Sequence, residues 1–113
     1  LNAVKKNLLH SSANITGGGI IENIPRSLPV NFTANIDLSK IKTLKIFKWL
    51  KNKNITEKEM LRTFNCGVGF CLIADRKNVS KIKKCFEKKF KPYEIGFVSK
   101  SSKKLKLFNK VKW

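Results

Sequence analysis

Asn14-Ile15-Thr16-Gly17-Gly18-Gly19-Ile20-Ile21-Glu22-Asn23-Ile24-Pro25-Arg26 is the stretch on which the reading of this chain turns. Three consecutive glycines free a length of backbone from side chains, and the apolar residues at 20, 21 and 24 then suit one short buried helix turn. That helix stops at Pro25 or soon after. A loop thus runs directly into a helix start, where free N–H groups and the helix dipole together attract phosphate or carboxylate. The alternative is that the glycines make a tight turn and nothing more. The spacing matches neither G-x-G-x-x-G nor the Gly-Lys-Ser/Thr ending of a P-loop, which disfavours those nucleotide-binding classes.

Working outward, Ala3 to Leu9 reads as a helix that begins without a start signal, as a fragment or processed piece would, and Ser11 to Gly19 reads as loop. On the other side, Phe32-Thr33-Ala34-Asn35-Ile36 alternates as a strand and leads to Asp37 or Ser39, either of which can cap a following helix. That helix is expected over about Leu38 to Lys51, with Ile41, Leu44, Phe47 and Leu50 on its inner stripe and lysines outside. Thr56-Glu57-Lys58-Glu59 has the spacing of a capping box, ahead of Met60, Leu61 and Phe64. Val68 to Ala74 reads as a buried strand. Asp75 to Phe90 reads as a helix with Val79, Ile82, Phe86 and Phe90 inward, ended by Pro92. Two strands follow, Tyr93 to Ser99 and Leu105 to Val111. This order implies an α+β fold, a mixed and mostly antiparallel sheet packed with helices.

At 113 residues the chain is one domain's worth, and 42% hydrophobic residues are enough for a modest core. Its +18 charge suggests an anionic partner, yet residues 1 to 37 carry only +1 of it. Twenty-two lysines against three arginines, beside eleven Asn and eleven Ile, look like the residue usage of an AT-rich genome. A dedicated nucleic-acid reader uses more arginine, so a basic polyanion- or nucleic-acid-binding domain stands as the alternative function rather than the leading one. The aromatic residues fall mostly at inward positions. The longest apolar stretch, Val68 to Ala74, is far short of a membrane span, and a cytosolic protein is expected.

Few residues offer chemistry. Arg26 and Arg62 each sit beside a turn, placed for a bidentate anion contact or for a salt bridge to Glu22 or Glu59. The seven acids are scattered, with no pair set for metal or acid–base work, so no metal site is expected within this chain. Cys66, Cys71 and Cys85 fit no metal spacing and read as reduced, packed thiols, with His10 far along the chain.

Residues 14 to 19, Glu22-Asn23-Ile24-Pro25-Arg26, Leu28-Pro29, Glu59-Met60 and Arg62-Thr63-Phe64-Asn65-Cys66-Gly67-Val68-Gly69, with Ile95-Gly96 near the end, resemble the C-terminal domain of the phosphoribosylformylglycinamidine cyclo-ligase (AIR synthetase) family. The likeness runs over essentially all of residues 1–113, as a domain incomplete at its N-terminal end and without the N-terminal ATP-binding domain. It implies ATP-dependent closure of formylglycinamidine ribonucleotide to aminoimidazole ribonucleotide in a cytoplasmic homodimer. ATP and magnesium would then be held mainly by the N-terminal domain. It further implies that Asn14, Thr16, Gly17, Gly18 and Gly19 contact substrate or transferred phosphate, with Arg26, Arg62 and Asn65 orienting that loop. One departure stands out: the family usually has histidine where this chain has Asn14, which cannot titrate near neutral pH.

Overall fold

The computed structural model describes residues 1–113. Its elements in chain order are α1 (Asn2–Lys5), β1 (Ser11–Asn14), α2 (Gly19–Arg26), β2 (Phe32–Asp37), α3 (Lys45–Lys51), α4 (Glu57–Thr63), β3 (Phe70–Ile73), α5 (Val79–Lys84), β4 (Gly96–Lys100) and β5 (Leu105–Phe108), with short 3-10 turns between some of them. This is the expected α+β arrangement, but the strands form two sheets. β1 pairs antiparallel with β3; β2 is central in the other sheet, antiparallel to β4 and parallel to β5.

The first correction is β1. Ser11-Ser12-Ala13-Asn14 has weak strand propensity, and the sequence reads it as loop. In the structure β3 supplies its backbone partners, in register from Ser11 opposite Ile73 to Asn14 opposite Phe70. Ala13 and then Ile15 turn into the core while Ser12 and Asn14 face out, so pairing and alternate burial override propensity.

The expected helix over Leu38 to Lys51 is broken in two. The Asp37 carboxylate accepts the Ser39 N–H at 3.0 Å and the Ser39 hydroxyl at 2.6 Å, closing a single 3-10 turn. Ile41 is then extended and buried, and the Lys42 N–H donates to the Tyr93 hydroxyl at 3.0 Å. A contact from fifty residues away thus holds the chain straight where local periodicity favours a helix. Only the second half becomes α3, on which Phe47 and Leu50 pack against the core while Leu44, just before it, is exposed.

The expected helix over Asp75 to Phe90 also shrinks, to the six residues of α5 between two 3-10 turns. Lysines at 77 and 81, and at 84 and 88, would face each other one turn apart, and only Ile82 is buried to offset that repulsion. Phe86 and Phe90 are exposed rather than inward. With Trp49, Phe70, Phe97 and Phe108 also exposed, the aromatics are not a core inventory.

The core gathers α2 and α4 against β1 and β2. Ile20 and Ile24 meet Met60 and Leu61, with Ala34, Ile36, Cys66 and Val68 around them. The capping box forms its first half: the Thr56 hydroxyl accepts the Glu59 N–H at 3.2 Å, while Glu59 accepts the Thr63 hydroxyl at 2.7 Å instead of reaching back. Thr33 and Asn35 are the two polar residues buried on β2. Thr33 donates to the Lys103 carbonyl, and Asn35 donates to the Phe97 carbonyl and to Ser99, so no buried polar side-chain atom is left without a partner.

Candidate functional site

The two motif stretches, far apart in sequence, meet at one end of the β1–β3 pair. The Ile15 N–H donates to the Gly69 carbonyl at 3.0 Å, extending the ladder by one step before the chain enters the glycine loop. The loop then turns into α2 with Gly18 as N-cap.

The three glycines have three different reasons to be glycine. Gly19 has φ +58°, and a Cβ there would run into the backbone carbonyls of Leu61 and Phe64 at the end of α4. Gly18 has φ +94°, and a Cβ there would meet the Glu22 side chain, both its movable carboxylate and its Cβ, which the helix holds in place. Gly17 has neither constraint: nothing lies within 4 Å of the space a Cβ would take. Nothing within this chain requires glycine at 17.

The Gly17 and Gly18 amides donate to no group in the chain, and the Ile20 and Ile21 amides, at the start of α2, lack the i−4 carbonyls that would satisfy them. The carbonyl side of the loop is instead occupied. Asn23 Nδ2 donates to the carbonyls of Gly19 at 2.8 Å, Gly17 at 3.2 Å and Thr16 at 3.4 Å, tying the loop to the helix it introduces. Asn23 is thus a loop-positioning residue that the sequence reading passes over. Its position four residues after Gly19, on the same face of α2, is the signal that points to it.

The remaining site residues divide. Asn14 and Thr16 are exposed beside the loop. Arg26 takes the structural option of its two, pairing with Glu22 at 3.5 Å across one turn, with both side chains well exposed and the pair correspondingly weak. Arg62 lies exposed in the last turn of α4 and forms no ion pair, since Glu59 is turned to Thr63. Asn65 braces its own turn: its Oδ1 accepts the Gly67 N–H at 2.9 Å and its carbonyl accepts the Val68 N–H at 2.9 Å. Asn65 therefore shapes the approach to β3.

No three His, Cys, Asp or Glu side chains gather where they could hold a metal ion. Cys66 is buried and donates to the Met60 carbonyl, and its thiol is pushed up to about 11 by burial and secondarily by the Glu57 charge. Burial also pushes the Cys71 thiol up to about 11. Both are thiols rather than thiolates at neutral pH, in line with packed, reduced cysteines. His10 pairs with Asp75 at 3.2 Å on the surface and approaches no cysteine. A cleft of about 570 Å³ beside Val30 to Phe32 and Lys100 to Ser102 holds no motif residue. No helix is long and apolar enough to cross a membrane.

A glycine loop with free amides, braced by an asparagine and set between a two-stranded sheet and a helix pair, marks an α+β domain. The family described as AIR synthase related protein, C-terminal domain, matches residues 1–107, and the chain belongs to that family. It is similar to the phosphoribosylformylglycinamidine cyclo-ligase of Staphylococcus aureus strain Newman, at 43% identity over 102 residues that make up 88% of this chain and 30% of the relative. The enzyme of the same name from strain MSSA476 is 42% identical over the same shares. The chain thus spans about 30% of the length of the curated relatives it matches.

Proposed function

We propose that the chain is the substrate-side, C-terminal part of a longer ATP-dependent cyclo-ligase that closes formylglycinamidine ribonucleotide to aminoimidazole ribonucleotide, in a cytoplasmic homodimer. The observation that carries the site is Gly17, which is free of internal constraint beside unpartnered amides. A ligand group that must come close to the backbone supplies the missing reason for glycine there.

In this reading the Gly17, Gly18, Ile20 and Ile21 amides hold a phosphate or the developing oxyanion at the start of α2, and Asn23 keeps the loop from folding onto its own carbonyls. Arg26, loosely held by Glu22, can turn to the same anion. Arg62 orients the substrate from the end of α4, and Asn14 and Thr16 offer hydrogen bonds beside it. ATP with magnesium, held by the rest of the longer enzyme, would supply the phosphoryl group that activates the formyl oxygen. Asn14 orients without exchanging a proton, because an amide does not titrate near neutrality.

The test is Gly17→Val in the full-length enzyme. Unchanged folding with the Michaelis constant for the ribonucleotide raised at least about tenfold, one lost charge-assisted contact's worth, is expected. Unchanged kcat and KM would remove the glycine loop from the site.

A further inference from the structure

The residues after β5, Asn109 to Trp113, belong to no helix or strand, and residues 110 to 113 make no backbone-to-backbone hydrogen bond. They are nonetheless fixed. Val111 is buried in the core, and Trp113 packs against it. Asn109, in a bend at φ +59°, donates from Nδ2 to the Asp37 carboxylate at 2.9 Å. One oxygen of Glu57 then takes two donors: Oε2 accepts the Val111 N–H at 3.3 Å and the Trp113 indole N–H at 3.2 Å. That half-buried carboxylate is the only side chain hydrogen-bonded to residues 110 to 113.

Glu57 opens α4, and among the helices and strands α4 packs mainly against α2. At the other end of α4 the Leu61 and Phe64 carbonyls abut Gly19, where a Cβ would run into both. About 10 Å of hydrogen-bonded helix therefore separates the anchored carboxylate from the glycine loop. So short a rod, closely packed, carries a shift at one end to the other.

We infer that residues 109 to 113 form a strap that positions the glycine loop through α4, with Glu57 as its fastening. Glu57 is a positioning residue, acting through the helix that it starts. Its place in the first turn also suits the helix dipole, but that role needs neither Val111 nor Trp113. The strap adds a support for α4 beyond α2 itself. Backbone amides that must meet an anion to within about 0.5 Å gain from such support. The inference rests on the proposed function for the loop's part in binding substrate; the strap's hold on the loop stands on geometry alone.

The test is hydrogen exchange followed by mass spectrometry on the full-length enzyme, with KM and kcat alongside, for Glu57→Ala, Glu57→Gln and Trp113→Phe. Glu57→Ala removes both bonds. Trp113→Phe removes one and keeps a ring in the core, so it decides the matter should Glu57→Ala not fold. A hydrogen bond to a charged group is worth at least about tenfold in an opening equilibrium. Exchange in α4 and in α2 is therefore expected to quicken together by that factor, while β2 and β4 keep the parent rates. Glu57→Gln, which retains an acceptor oxygen, restores most of the protection. In the first and third variants KM for the ribonucleotide rises at least about threefold with kcat within about twofold, as when binding shared by ground and transition states is lost. Quickening absent from α2, or equal in every peptide, overturns the inference. So does an unchanged KM in an enzyme whose KM responds to Gly17→Val. A KM that responds to neither change removes the loop from the site and sinks the proposed function, with the exchange rates still deciding the strap.

Discussion

Replacing Gly19 by alanine tests whether the junction of α2 with α4 is as tight as the structure makes it. The residue sits at φ +58°, a region that costs an L-residue about 1 to 2 kcal/mol. The new Cβ would also lie 2.8 Å from the Leu61 carbonyl carbon and 2.9 Å from the Phe64 carbonyl oxygen. Both are backbone atoms, so relief requires the two helices to part, and overpacking of this kind costs about 1 to 3 kcal/mol. Alanine returns about 0.4 to 1 kcal/mol by stiffening the unfolded chain. The net expected loss is about 1 to 4.5 kcal/mol, centred near 3, a large share of the roughly 5 to 15 kcal/mol that holds a domain folded. With a urea slope of about 1.5 kcal/mol per molar, the midpoint followed by far-ultraviolet circular dichroism should fall by about 2 M. Gly17→Ala, which meets nothing within 4 Å, keeps only that unfolded-chain gain and should leave stability unchanged or raise it by up to about 1 kcal/mol. A Gly19→Ala midpoint within about 0.3 M of the parent, or a Gly17→Ala loss as large as that of Gly19→Ala, would refute the reasoning.

Asn23→Leu removes three hydrogen bonds to the loop carbonyls and is expected to cost about 1 to 3 kcal/mol in the same urea titration; a loss below 0.5 would mean that the loop needs no brace. Thr56→Ala deletes the α4 cap and should cost about 1 kcal/mol, whereas Thr56→Ser should retain most of it. Bonds from the Ser39 and Asn109 side chains hold the Asp37 carboxyl below its ordinary 3.8. A lowered folded value means that this contribution is complete above 3.8 and is lost as pH falls through the folded value. Asp37→Asn should therefore lose less stability than the parent as pH falls below about 3.8, and parallel acid titrations of the two would contradict the assignment. With thiols near 11 against an ordinary 9.0, Cys66 and Cys71 should react with iodoacetamide about a hundredfold more slowly than in the unfolded chain; native rates within fivefold of the unfolded ones would argue against that burial.

Local chemistry made part of this protein legible without coordinates. The helix after the glycines, the Thr56 cap and the β2 strand each depend on residues within one or two turns of one another, and each appears where the pattern places it. The motif residues 14 to 19 and 59 to 69 also identified the family from sequence. What the pattern left out was decided at a distance. β1 exists because β3 hydrogen-bonds to it, and the chain leaves the helical path at Ile41 because the Tyr93 hydroxyl accepts the Lys42 N–H. The division of labour among three identical glycines could not be read from their spacing. It depends on which atoms of α4 stand opposite each one, and only the packed fold brings Leu61 and Phe64 against Gly19 while leaving Gly17 open. Backbone conformation follows local sequence when no better partner is near; burial and long-range hydrogen bonds, each worth more than a residue's intrinsic preference, decide it otherwise.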